Sequence, residues 1–366
     1  MRSRSLILIT FLLYSILSSS HITLAKQIEL KNVESSFNPN YNVTFTLIDE
    51  LNVGGASKDI EIIGNIAYVL SNSGLNLYNV TDIEKVLELG HYYSDGYLGH
   101  SIAIYNNYVF TAADDLGLKI INVIDPTNPQ LVDTITSTRP AAIYIKGNLL
   151  FVANWEHDFE IYDISSVPTI TEVKRFEGTG FYYAYASEEL AFAFANNGSL
   201  VILDIIDQEH IEKISTIDDK EISCIAIEGN YWYAGGSNGI KIFNSTNLSE
   251  PTFISHINNT EQSHITNLAI QEGFLYASDY YQGFRIFKIL DDFLLEEIGI
   301  HEAGGSPLGF YIKGDISFVA SQIRGIQIIG IKIIELDIEK TPFFEIEIIL
   351  SGILALGLYS YKKREK

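Results

Sequence analysis

The chain has 366 residues, 47% apolar and 19% charged, so it can bury a large core and is not a disordered polymer. Its formal charge is −22, and removing the +2 of the first 25 residues and the +3 of the last five leaves about −27 on the rest, a field that repels phosphate backbones and argues against nucleic acid as a partner. One cysteine, Cys224, excludes an intrachain disulfide and a cysteine metal cluster, and its apolar neighbours mark it as a small buried hydrophobe.

From the beginning of the chain, residues 1–25 read as a signal peptide: Arg2 and Arg4, the apolar run Leu6 to Leu17, then Thr23-Leu24-Ala25 before Lys26. An uncleaved anchor is the alternative. Residues 26–40 form the mature N-terminal segment, and Asn42 to Leu51 reads as a strand with no partner beside it. From there to about residue 335 one pattern recurs with a period of roughly forty residues. It is an alternating apolar run, a tight turn, an aromatic-rich strand, a polar loop, and then a glycine opening a third strand. The turns fall at Gly64-Asn65, Asn106-Asn107, Gly147-Asn148, Glu188-Glu189, Gly229-Asn230, Glu272-Gly273 and Gly314-Asp315, which makes seven copies. The third-strand glycine falls at Gly74, Gly117, Gly198, Gly239, Gly283 and Gly325, with Phe159 in its frame in the third copy.

A unit of four short strands and about forty residues is one propeller blade, so residues 41–335 are expected to form an all-β, seven-bladed β-propeller. The last copy stops after its third strand. The early strand is therefore expected to close the ring as the outer edge of the seventh blade, removing an exposed sheet edge. Residues 336–342 read as a linker, and 343–361 as a single transmembrane helix spanning about 28 Å, with Glu345 and Glu347 near its outer end. Residues 362–366 are a basic tail that, by the positive-inside rule, stays in the cytoplasm and leaves the propeller outside. A buried terminal helix is the alternative for 343–361. Six sequons, at Asn42, Asn79, Asn197, Asn244, Asn247 and Asn258, are in keeping with an exported glycoprotein at the cell surface.

The stretch Gly117 to Pro129, GLKIINVIDPTNP, followed by Leu131-Val132, resembles the LVIVD-repeat family of secreted propellers. Other copies keep parts of it, as in Tyr162-Asp163-Ile164 and Leu203-Asp204-Ile205, whereas Asn244 and Lys288 replace the aspartate in the fifth and sixth. The resemblance implies a propeller fold and a surface or exported location, and no defined chemistry. Thr341 to Glu345 also looks like the Pro-Gly-Phe surface-sorting tail of archaeal exported proteins, with Phe343 where the glycine would stand.

No metalloprotease, P-loop or EF-hand motif is present, so neither cofactor nor metal is expected. Gly235-Gly236-Ser237-Asn238-Gly239 matches the serine-hydrolase pattern, but it joins two strands where a nucleophile elbow needs a strand and a helix. The candidate ligand-binding face is the set of loops between second and third strands together with the connections between blades. It carries Asp114, Asp115, Trp155, Glu156, His157, Asp279, Tyr280, Tyr281 and Arg324, beside the connection residues His100, Arg139, His264 and His301. Aromatics next to carboxylates can stack on a sugar ring and bind its hydroxyls, or cover a peptide. The expected function is a membrane-anchored binding or scaffold module for a glycan, a peptide or an envelope protein. The alternative is an extracellular hydrolase or lyase using loop carboxylates such as Glu156 and Asp158, and a structural envelope role is a third reading.

Overall fold

The computed structural model describes residues 40–336 apart from 94–98, 137–138, 209, 258–261 and 304. Within them 28 strands form seven antiparallel sheets of four, the expected seven-bladed propeller. The leader, residues 26–39, residues 337–342, the expected span at 343–361, the basic tail and the Asn258 sequon lie outside the described residues. Among the described residues no helix is long and apolar enough to cross a membrane, and the helical element present is a 3-10 turn at Asp114–Leu116.

Six blades are contiguous in sequence, at residues 57–93, 101–135, 140–176, 181–218, 222–257 and 265–301. The seventh takes three strands from residues 307–335 and its outer strand from Tyr41–Leu51. That strand pairs antiparallel with Gly325–Glu335, from Tyr41 opposite Glu335 to Leu51 opposite Ile326, so the expected closure is the one observed. The first strand of every blade is innermost, and the seven inner strands touch in order around the ring, with Pro307–Lys313 returning to Ser57–Ile63.

The turns between first and second strands use left-handed backbone, with φ of 60° at Gly64, 54° at Asn106, 59° at Gly147, 57° at Gly229, 53° at Glu272 and 62° at Gly314. Tight hairpin turns need that geometry to match the strand twist. The fourth blade uses a serine instead: the Ser187 N–H donates to the Leu190 carbonyl at 2.8 Å, and its hydroxyl accepts the Leu190 N–H at 3.2 Å. At the start of the closing sheet's third strand, Gly325 has φ 73°, and a Cβ there would overlap the Leu51 carbonyl. The third blade differs from the expected frame. Phe159 pairs with Ala153 as Leu118 pairs with Ala112, so Asp158, not Phe159, occupies the place that Gly117 holds.

The apolar residues divide into seven clusters, one between each pair of adjacent blades. Cys224 is fully buried in one of them, with Sγ 3.6 Å from the Ile265 carbonyl of the next blade. Side chains on the inner strands also bond across to the neighbouring blade. Ser57 Oγ lies 2.8 and 2.7 Å from the Ser321 and Gly325 carbonyls, Asp59 accepts the Ile102 N–H at 3.0 Å, and Ser101 Oγ donates to the Ile143 carbonyl at 3.2 Å. Tyr182, Ser223 and Thr266 make the same kind of bond to Ile222, Ile265 and Pro307.

Phe45, fully buried on the closing strand between the sixth and seventh blades, tests what closure contributes. Phe45→Ala is expected to lower stability by about 3–5 kcal/mol, whereas Phe253→Ala on the outer rim, where the side chain is 54% exposed, should change it by roughly 0.5–1 kcal/mol. Denaturant titration of both variants measures the difference, and equal losses would count against closure as the controlling contact.

Candidate functional site

On the face formed by the loops between second and third strands, Arg139 is the centre of the best-defined cluster. It enters the third blade just before Pro140–Lys146. Its Nε lies 2.7 Å from both Asp114 Oδ1 and Asp115 Oδ1, and its Nη1 lies 2.5 Å from Glu156 Oε1. Three carboxylates therefore face one guanidinium, leaving this part of the rim acidic. Asp114 begins the 3-10 turn with φ 48°, a left-handed conformation that aspartate tolerates better than bulky residues do. His100 Nε2 stands 3.7 Å from Asp114 Oδ2, too far for a hydrogen bond, and burial lowers its pKa against the opposing pull of that carboxylate.

Trp155 sits beside this cluster on a backbone clamped from two sides. Its N–H donates to the Arg139 carbonyl at 3.0 Å, and its own carbonyl accepts Asn196 Nδ2 of the fourth blade at 2.6 Å. Gly180, φ 119°, packs so closely that a Cβ would overlap the Trp155 carbonyl. The indole is 37% exposed and meets His100 edge-on at a centroid distance of 6.1 Å. An exposed indole on a backbone that is already fixed suits a recognition surface, because no backbone ordering is needed on binding. His157 is exposed next to it. Asp158 is turned inward, accepting the Gly178 N–H at 3.1 Å and lying 3.5 Å from Arg175 Nη1.

The sixth and seventh blades hold the other expected residues. Asp279 is fully buried and organises its own loop, accepting from Ser263 Oγ at 2.6 Å, from Arg285 Nη1 at 3.0 Å, and from the N–H groups of His264, Tyr281 and Gln282. Its fixed loop presents Tyr280 edge-on to Tyr281 at 5.0 Å, with Tyr281 61% exposed. Arg324 pairs with Glu50 of the closing strand at 3.1 Å. His301 is buried against Phe45, where burial brings its pKa down to about 4. Among the described residues no group of three or more His, Cys, Asp or Glu is placed to hold a metal ion.

A second set lies on the innermost strands, around the propeller axis. Asp59 and Glu61 are two residues apart on the inner strand of the first blade, so they share one face while Ile60 and Ile62 enter the core on the other. The strand pairings put Glu61, Tyr144, Tyr185 and Tyr311 on one tier of the ring, opposite Tyr68, Phe151, Phe192 and Phe318 in their own blades. Burial pushes Asp59 up to about 6 although the Ile60 and Ile102 N–H groups stabilise its charge. Burial pushes Glu61 further, to about 8, and the Asp59 charge adds to the effect. Tyr144 and Tyr311 feel the Glu61 charge, and Tyr183 feels that of Asp59. The visible signal was KDIEII in the first copy: two carboxylates in an inner strand whose counterparts carry Ser, Ala, Tyr, Cys, Asn or Gly.

The LVIVD-repeat family model matches residues 99–137, 141–177 and 222–259. The chain therefore carries LVIVD repeats in its second, third and fifth blades, and that family is associated with β-propeller folds. No curated protein matches the chain significantly. Among solved structures, the WD40 β-propeller domain of Doa1 is similar at 11% identity and a TM-score of 0.62, with 78% of this chain and 96% of that one covered. The computationally designed Ika8 protein is similar at 14% identity and a TM-score of 0.56, with 80% and 94% covered. Both likenesses concern the fold alone.

Because its folded pKa lies above its unfolded one, Glu61 supports the fold fully below about pH 4.5, and that contribution is lost as pH rises through about 8. Glu61→Gln should therefore leave thermal stability unchanged near pH 4 and raise the midpoint by a few degrees near pH 8.5, roughly the response to a change of about 1 kcal/mol. Melting curves across that range check it, and parallel curves for the two proteins would show that Glu61 is not desolvated.

Proposed function

We propose that this chain is a cell-surface binding module, anchored in the membrane by a single C-terminal helix, whose propeller presents the Trp155–Arg139 face to a glycan, a peptide or an envelope protein. A propeller with LVIVD repeats suggests a binding or scaffold module in general terms. The particular face rests on one observation: the exposed Trp155 ring stands on a backbone fixed by two blades and is rimmed by Asp114, Asp115 and Glu156. Such a surface offers an apolar plate with acceptors at its edge, which suits a sugar ring or a peptide with donor groups.

The surface location is supported by the leader-like residues 1–25, the apolar segment 343–361 and the basic cluster after it. Four sequon asparagines add to it. Asn79 and Asn244 end third strands and Asn197 and Asn247 lie in turns, and in each the side-chain Oδ1 accepts the N–H two residues on, which leaves the amide nitrogen that would carry a glycan out of that bond.

A hydrolase or lyase is the second reading, favoured by the desolvated Asp59 and Glu61 in the channel. The loop carboxylates serve it less well, since Glu156 is bound to Arg139 and Asp158 to Gly178 and Arg175.

The full chain should bind a component of a glycan array or of envelope extracts, and the Trp155→Ala, Tyr280→Ala double variant should lose that binding by about tenfold or more with its fold intact. Binding unchanged in the double variant would remove this face from the account. Labelling of intact cells with a membrane-impermeant amine reagent tests the location separately, and a propeller that stays unlabelled until lysis would overturn it.

A further inference from the structure

The repeat makes one junction between blades stand out on the opposite face, where first strands turn into second strands. At three junctions the last residue of an inner strand is a donor that reaches the turn of the next blade. Lys146 Nζ donates to Glu188 Oε1 at 2.5 Å, Gln271 Nε2 to the Gly314 carbonyl at 3.0 Å, and Lys313 Nζ to the Gly64 carbonyl at 2.7 Å. Between the fifth and sixth blades the same position is Glu228, which can donate nothing when ionised and faces a turn, Glu272-Gly273, that offers a further carboxylate.

A cavity of about 530 Å³ opens at this junction, lined by Glu228, Asn230, Tyr231, Leu290, Asp291 and Phe293 among others. The Tyr231 and Phe293 rings stack with centroids 3.8 Å apart and planes within 7°. Phe293 is held there in left-handed backbone, φ 63°, unusual for a bulky residue, and its carbonyl accepts Tyr233 Oη at 3.1 Å. Strain of this kind persists only where the surroundings fix it, and it recurs at ligand sites. Among the described residues no ion pair reaches Glu228 or Asp291. Lys288, the cation beside Gly273, is instead drawn over the Phe274 ring at 4.7 Å.

We propose that this cavity binds an organic cation, a guanidinium or ammonium group on a short stem. The ligand's charge takes the place that Lys146 and Lys313 fill at their own junctions. Its cationic head meets Glu228 and Asp291, and its stem or plane lies against the Tyr231–Phe293 stack. A guanidinium combines both contacts best, because it is planar, stacks on aromatic rings and pairs with carboxylates. The site is on the face away from Trp155 and does not depend on the reading of that face.

Calorimetric titration of the full chain with N-acetyl-argininamide tests it, with neutral N-acetyl-citrullinamide as the control and acetyl-Gly-Arg-Gly-amide as the peptide form. Saturable binding of argininamide at least about tenfold tighter than citrullinamide is expected. Tighter binding of the peptide would assign the cation to a polypeptide, and equal binding to a free small molecule. Glu228→Lys supplies the missing donor from within the chain, so it should abolish binding and raise the thermal midpoint. Glu228→Gln should weaken binding without that rise, and Phe293→Gly, which relieves the left-handed strain while removing the stack, should weaken it with the fold retained. No saturable heat with argininamide, equal affinity for citrullinamide, or undiminished binding in Glu228→Lys would overturn the proposal.

Discussion

The constraint on which the rest of the structure depends is closure of the ring by pairing Tyr41–Leu51 with Gly325–Glu335. Each blade is apolar on both faces and can bury them only against two neighbours. An open array would leave two blades with one bare face each. The closing strand supplies Tyr41, Val43 and Phe45 to the cluster between the sixth and seventh blades, and Leu51 to the cluster between the seventh and the first. Loss of that strand therefore weakens two of the seven interfaces at once, although its hydrogen bonds belong to a single sheet. Closing so long a loop costs entropy that grows only logarithmically with length, whereas the buried area gained grows with every residue in register.

The inner strands carry a second, finer form of the same constraint. Hydroxyls and one carboxylate at Ser57, Asp59, Ser101, Tyr182, Ser223 and Thr266 bond to backbone groups of the adjoining blade. Near the axis these groups reach across to the backbone of the next blade, and their own hydrogen-bonding needs are met there. The polar residues in these otherwise apolar strands thus have a structural reason. Glu61 does not share it: among the described residues its carboxyl has no hydrogen-bonding group to stabilise the charge, and burial and the Asp59 charge both raise its pKa.

Much of the architecture was legible because it is written locally and repeated. Turn residues such as Gly147 and Gly314 adopt positive φ in six of the seven blades, so their spacing marks the repeat, with Glu188-Glu189 filling the frame in the fourth. The unpartnered strand before the first copy and the missing fourth strand of the last implied each other. The site was legible only in outline. Trp155, Glu156, Asp114 and Asp115 were assigned to one face, but Arg139 as their common partner depends on how a connection crosses from one blade to the next. Asp279 reads in sequence like any loop acid. Its burial follows from Arg285, six residues later, turning in from the third strand to meet it, with Glu297 from the fourth on the other side. No local pattern encodes that meeting.

Departures from a repeat carry information that the repeat itself does not. Positions where most copies agree are explained by the blade: the left-handed turn in six blades and the third-strand glycine in six. A position where one copy reverses the chemistry of the others has lost that explanation and needs another. Asp158 replaces the glycine of the third blade and anchors the loop that carries Trp155, through the Gly178 N–H and the Asn154 side chain. Asp59 and Glu61 replace small or phenolic residues in the channel. Glu228 places a carboxylate where three other junctions have a bridging donor. The three departures lie on one face, in the channel and on the opposite face, so a ring that is nearly sevenfold in backbone is strongly asymmetric in charge. A scaffold built from equivalent blades acquires distinct sites by this route without disturbing the contacts that close it.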